Sequence, residues 1–181
     1  MGFIGVQPAT VPLTANDITD GIITTAKIAD DAITAGKLPS GTVIQTVFSR
    51  VAVQQTITSS SYADIPNGGH QITITPLFAN SKILINFLGS RQSYSTTNGI
   101  SYIQMHRSID GGSFSFLEQI ESQNYTQGAY GYSRSQAVFD SPSTTTAVIY
   151  KMMAKSTGTG NAHYGGYDNV PATLTALEIK Q

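Results

Sequence analysis

Lys82-Ile-Leu-Ile-Asn-Phe-Leu88 decides the architecture of the larger part of this chain. Read at period two, Ile83, Ile85 and Phe87 share one face and Leu84 and Leu88 the other, because successive strand side chains point to opposite sides. Apolar groups on both faces predict a strand in the middle of a sheet, and Ala147 to Met153 reads similarly. Working outward, further strands are expected over Val43 to Ile57 (broken once), His70 to Thr75, Ile100 to Ile109 and Ser113 to Ile120. Ser133 to Phe139, Thr145 to Ala154 and Leu174 to Ile179 complete the set. Turn signals separate them at Pro66-Asn67-Gly68-Gly69, Asp110-Gly111-Gly112, Ser141-Pro142-Ser143 and Gly158-Thr159-Gly160. About eight or nine short strands without a convincing helix predict a mainly β fold, an antiparallel jelly-roll-like β-sandwich over residues 42–181.

The first quarter of the chain follows another rule. Leu13, Ile18, Ile23, Ile28, Ile33 and Leu38 stand at strict five-residue intervals. On an α-helix each such step turns the side chain by about 140°, and on a strand it alternates faces. No single regular element can bury all six. Aligning Ile18 to Lys27 with Ile28 to Lys37 matches Asp20 with Asp30, Ile23 with Ile33, Thr24 with Thr34 and Lys27 with Lys37, a ten-residue unit. Asp20-Gly21 and Asp30-Asp31 supply turns in step with it. The expectation is short extended steps separated by bends, winding about an axis shared with other chains; helix over Thr24 to Lys37 is opposed by Gly21, Gly36 and the β-branched residues. A self-contained coil of five-residue sides would need about twenty residues per turn and several stacked turns, and residues 13–41 are too short for it. The six anchors therefore point to self-association. Lys27, Lys37, Asp20 and Asp30 read either as intersubunit ion pairs or as a solvated edge; exposed pairs contribute about 0–1 kcal/mol, so the apolar anchors carry association. Residues 1–12, with Pro8 and Pro12, form an arm whose apolar tip, Phe3, Ile4 and Val6, either docks into a neighbour or frays.

Composition narrows the classes. With 181 residues, 40% hydrophobic and 12% charged, the chain can build a core but carries about half the usual charge. A net charge of −1 recommends neither nucleic acid nor an anionic membrane as partner. There is no cysteine, hence no disulfide framework. No apolar run approaches the ~18 residues of a membrane span, and the start lacks the pattern of an export signal. Release by host lysis would fit a protein that works outside a cell.

The search for catalytic chemistry yields little. His70, His106 and His163 form no metal-ligand spacing, and no nucleophile elbow, phosphate loop or dinucleotide fingerprint is present. Asp64, Asp140 and Asp168 adjoin turn residues and read as backbone caps. Asn124-Tyr125-Thr126 fits a glycosylation sequon, relevant only on a secretory route. No enzyme, metal or cofactor is expected. Loop composition stands out instead: Ser122 to Arg134 and Ser156 to Asn169 hold Tyr125, Tyr130, Tyr132, Tyr164 and Tyr167 among Gly, Ser and Asn, with His163 beside them. Such mixtures suit binding loops and stacking on a sugar ring; equally, the tyrosines could pack on adjacent strands or across a subunit boundary.

The stretch Val11 to Leu38 resembles the repeats of tail-fibre and related virion proteins of marine bacteriophages. Phe3-Ile4-Gly5-Val6-Gln7-Pro8 is similar to their N-terminal arms, and Ile72 to Pro76 with Ser81 to Ile85 looks like the β-domain that often follows. The resemblance implies a homotrimer anchored on the virion through its N-terminus, where it meets other virion proteins, with the C-terminal domain displayed outward. With only about two and a half repeat units, the chain is short for a reaching fibre. The leading expectation is a short tail fibre or spike contacting a host-surface glycan or protein. A capsid decoration or head fibre is the alternative, and a glycan depolymerase the weakest one.

Overall fold

The computed structural model describes residues 14–95, 99–125, 128–157, 161–165 and 171–181. The expected anchors Phe3, Ile4, Val6 and Leu13, and the loop residue Tyr167, lie outside them. The chain divides into two compact units, Met1–Leu38 and Pro39–Gln181.

In the first unit the five-residue period is a turn period. The carbonyls of Thr14, Thr19, Thr24, Ala29 and Thr34 each accept a hydrogen bond from the backbone N–H three residues on, at 2.9–3.1 Å. These turns alternate in kind: 3₁₀ turns at Ala15–Asp17, Thr25–Lys27 and Ala35–Lys37, and tight turns over Thr19–Ile22 and Ala29–Ala32. Gly21 and Asp31 take positive φ (80° and 63°) at the third position of the tight turns, the conformation glycine adopts at least cost and Asp tolerates. The expected bends at Asp20-Gly21 and Asp30-Asp31 are present. Each ten-residue unit holds a second turn that the expected extended steps did not include, because a single 3₁₀ turn needs far less helix propensity than a continued helix. Each isoleucine anchor directly precedes a turn, and Ile18, Ile23, Ile28 and Ile33 are 40–56% exposed.

Among its described residues the second unit is an antiparallel sandwich of eleven strands: β1 Val43–Val51, β2 Gln55–Ile57, β3 Ala63–Asp64, β4 His70–Ile74, β5 Lys82–Ser95, β6 Gly99–Ile109, β7 Ser115–Tyr125, β8 Gly128–Asp140, β9 Val148–Thr157, β10 Asn161–Tyr164 and β11 Ala172–Ile179. The first sheet runs β1-β11-β5-β8; β10 continues along β5 beyond the start of β11, and β2 pairs with β10. The second runs β4-β9-β6-β7, with β3 beside β4 on the edge of β9. Taking the eight principal strands in chain order, the two sheets read 1-8-3-6 and 2-7-4-5, the wrapping of a jelly roll.

Alternation builds the core. Ile83, Ile85 and Phe87 of β5, Ile103 and Met105 of β6, Tyr150 and Met152 of β9, and Leu174 and Ala176 of β11 are buried in one cluster between the sheets. Charges inside it are partnered. The Glu178 carboxylate accepts from the Leu77 backbone N–H (2.8 Å) and Gln45 Nε2 (2.9 Å), and Asp140 accepts from Arg107 (2.7 Å) and the Tyr150 hydroxyl (2.8 Å). Beside Asp140, burial raises the Tyr150 phenol well above its ordinary pKa.

The strand over Val43 to Ile57 breaks once, as expected, at residues 52–54. One expectation about strands is corrected. Strands β7 and β8 extend into Ser122 to Arg134, which reads from sequence as a loop, β5 runs beyond its expected end at Leu88 to Ser95, and β10 was not foreseen. Serine, glycine and asparagine there hide the alternation, while pairing supplies the structure, of β7 with β6 and of β8 and β10 with β5.

Candidate functional site

The outward face of the second sheet gathers aromatic, amide and ammonium groups on adjacent strands. On β6, Tyr102, Gln104 and His106 alternate with the buried Ile103 and Met105. On β9, Lys151, Met153 and Lys155 alternate with the buried Tyr150, Met152 and Ala154. Register sets Tyr102 opposite Lys155, Gln104 between Met153 and Gln119, and His106 between Lys151 and Phe116. Tyr62, just ahead of β3, and Phe114, just ahead of β7, extend the patch at opposite edges.

The contacts fix its surface chemistry. Lys155 Nζ lies 4.7 Å and 4.5 Å over the Tyr62 and Tyr102 ring centroids, and these rings meet edge-to-face at 6.4 Å. Lys151 Nζ lies 3.8 Å over the Phe114 ring and 2.8 Å from the Asp64 carboxylate. His106 donates Nε2–H to Gln104 Oε1 (3.1 Å), Gln104 donates to Gln119 (2.9 Å), and Gln119 donates to the Ile103 carbonyl (2.9 Å). This relay locks the amides and selects the His106 tautomer. Burial, and then the Lys151 charge, lowers the His106 pKa, so the ring is neutral at pH 7. Burial raises the Tyr62 phenol above its ordinary pKa. Phe116 keeps 56% of its surface exposed, edge-on to His106. The patch can therefore offer an apolar ring, fixed amides and an ammonium held over π faces to a flat polar ligand.

The four described tyrosines singled out from sequence sit on three strands, with Tyr132 and Tyr164 both in register with Arg91 of β5. Tyr125 lies in β7, and Tyr130 and Tyr132 lie in β8, paired along the backbone with Ser93 and Arg91 of β5. Tyr164 is corrected outright: it is buried, not displayed. Its ring stacks on Phe87 (6.1 Å, 27°) and meets His70 edge-on (5.6 Å), and its hydroxyl bonds His70 Nδ1. Alternation in β10 turns Tyr164 inward and leaves His163 half-buried on the other side, with Nδ1 3.2 Å from the Thr56 hydroxyl. Burial lowers the His163 pKa. The patch around Tyr102 escaped the sequence reading because its groups come from Tyr62, β6, β7 and β9, which only strand register brings together. The polar-aromatic alternation of Tyr102 to His106 was the available signal.

Among the described residues no group of three or more His, Cys, Asp or Glu could hold a metal ion. Among the described residues, an open cleft at the break between β1 and β2 is lined by Arg50, Val51, Ala52, Val53, Gln55, Asn67 and Gly69, of which Arg50 alone is ionisable.

No protein-family model matches the chain. No curated protein matches it either. Among solved structures it is similar to a chain in the structure of the infectious bursal disease virus Gx strain, at 16% identity and a TM-score of 0.36. The match covers 75% of this chain and 38% of that one, so this chain spans well under half of that protein's length.

Proposed function

We propose that this protein is a structural component of a bacteriophage virion, a short homotrimeric spike or tail fibre with an anchoring arm, a self-associating stalk and a displayed jelly-roll domain. One observation carries the reading: a turn every five residues positions isoleucines along the stalk and leaves them about half exposed in the single chain. Burying each is worth about 1.5–3 kcal/mol, and that gain is open only against another chain. The turns already order the stalk backbone, which lowers the entropy lost on association. The likeness of Val11 to Leu38 to phage fibre repeats supports the same assignment, with anchoring to other virion proteins through Phe3, Ile4 and Val6. No catalytic role is proposed.

Contact with a host-surface glycan or protein is assigned to the face bearing Tyr62, Tyr102, His106, Phe116, Lys151 and Lys155, in preference to the tyrosine-rich segments. Tested on host cells or a glycan array, the full chain should bind, and Phe116→Ala with Lys155→Ala should abolish binding while the fold persists. Retained binding in that variant would remove this face from the assignment. Binding to the capsid lattice but never to cells would favour the decoration reading, which the shortness of the stalk keeps in play.

A further inference from the structure

The strand that decided the fold is apolar on both faces, and only one of them packs into the sandwich core. On the outward face of the first sheet, register aligns Thr46, Leu177, Leu84 and Phe139 in one row across β1, β11, β5 and β8. The row to one side is Phe48, Thr175, Asn86 and Ala137, and the next brings Leu88 beside Thr173. Phe48, Leu88 and Phe139 are 62%, 53% and 65% exposed. Ionisable groups enter only at the margins, Arg50 at one end and Lys82 at the other. A sheet face solvated for its own sake alternates apolar-in with polar-out; this one does not.

We infer that this face is an interface between copies of this chain, centred on Phe48, Leu84, Phe139 and Leu177. A second copy is the occupant for two reasons. Chain continuity delivers the face to it: β1, which carries Phe48, begins at Val43, five residues after the last stalk anchor, Leu38. An oligomer held by the stalk therefore starts this strand of every protomer from the same junction, so the inference rests on the self-association proposed above. Size agrees as well. Four strands by seven residue steps give roughly 400 Å² of sheet, about half of the ~800 Å² each partner brings to a stable interface. The face is large enough to add to the stalk and too small to replace it. Its exposed phenylalanines are the residue type that dominates such cores.

The test is sedimentation and dilution of the full chain beside two variants: Phe48→Lys with Phe139→Lys in the sheet, and Ile23→Asp with Ile33→Asp in the stalk. Both sheet positions are solvent-facing in the single chain, so folding should survive; Thr175→Lys on the same face is a milder second probe. Wild type should associate, and the sheet variants should dissociate at least about tenfold more readily. Sheet variants that dilute like wild type would overturn the interface while leaving stalk association intact. A wild-type chain that stays monomeric would overturn both, and the face would then belong to another virion protein.

Discussion

Isoleucine has opposite fates in the two units. In the stalk Ile18, Ile23, Ile28 and Ile33 are about half exposed, whereas Ile83, Ile85 and Ile103 of the sandwich are at most 1% exposed. The difference lies in period. An interval of two matches the pleat, so one chain folded back on itself can seal a face. An interval of five matches a turn, and a file of turns has no second layer to close against. Regular apolar spacing is therefore an instruction to bury, and the period says whether the same chain can do it.

The sharpest way to break this comparison is one substitution made twice. Ile85→Ala should lower stability by about 2–5 kcal/mol in a denaturant titration, the usual cost of a cavity in a sealed core. Ile33→Ala should leave unfolding of the sandwich within about 0.5 kcal/mol of wild type and raise the concentration at which the oligomer dissociates. Equal costs at the two positions would mean that the stalk closes on its own chain.

Acid probes a second contrast, between buried and exposed ionisable groups. His70 is buried against Tyr164, and desolvation lowers its pKa to about 4 from the model-peptide 6.5. A base depressed in the fold stays neutral there while the unfolded chain takes up the proton. Its contribution is thus fully present above pH 6.5 and declines between 6.5 and about 4, by about 1.4 kcal/mol per pH unit. His70→Asn keeps an acceptor for the Tyr164 hydroxyl without titrating, so stability measured across that window should fall less steeply than in wild type. Asp17, fully exposed in the stalk, has its pKa lowered by the Thr14 hydroxyl and N–H; Asp17→Asn should leave the acid profile of the sandwich unchanged.

Backbone close approach gives the next effect. A Cβ at Gly89 would meet Phe87 Cζ at 2.7 Å and the Ala172 Cβ at 3.1 Å, where β5 passes from β11 to β10. Gly89→Ala should cost about 1–3 kcal/mol by overpacking. A thermal melt that does not move would show that Phe87 can yield at no cost.

How much of this was legible follows from the same physics. Lys82 to Leu88 announced a central strand because its apolar pairs are local. The jelly-roll strands with apolar alternation were visible for that reason, and the turns at Asp20-Gly21 and Asp30-Asp31 because turn chemistry is local too. β3 and β10 were not, being short and held by partners: β10 pairs with β5 and β2 through Asn161, Ala162, His163 and Tyr164, of which only Tyr164 is a strand former. The inward turn of Tyr164 followed from that pairing. The face around Tyr102 and Lys155 left only the alternation of Tyr102 to His106 as a trace; which strands adjoin it is set by register, and register relates residues far apart in sequence.

The smallest expected effect tests whether the stalk turns are set locally. Gly21 and Asp31 occupy the same place in successive units, both at positive φ. A side chain there carries a left-handed penalty of roughly 1–2 kcal/mol in general, less for Asp, whereas glycine loses up to about 1 kcal/mol more backbone entropy on ordering. In Asp31→Gly these oppose each other, so the oligomer's dissociation midpoint should shift by no more than about 0.5 kcal/mol. Gly21→Ala has no such offset: nothing lies within 4 Å of the added Cβ, so its cost is conformational alone and should exceed that of Asp31→Gly. If the two changes weaken association equally, something other than local backbone preference sets the turn, and contacts between chains become the stronger candidate.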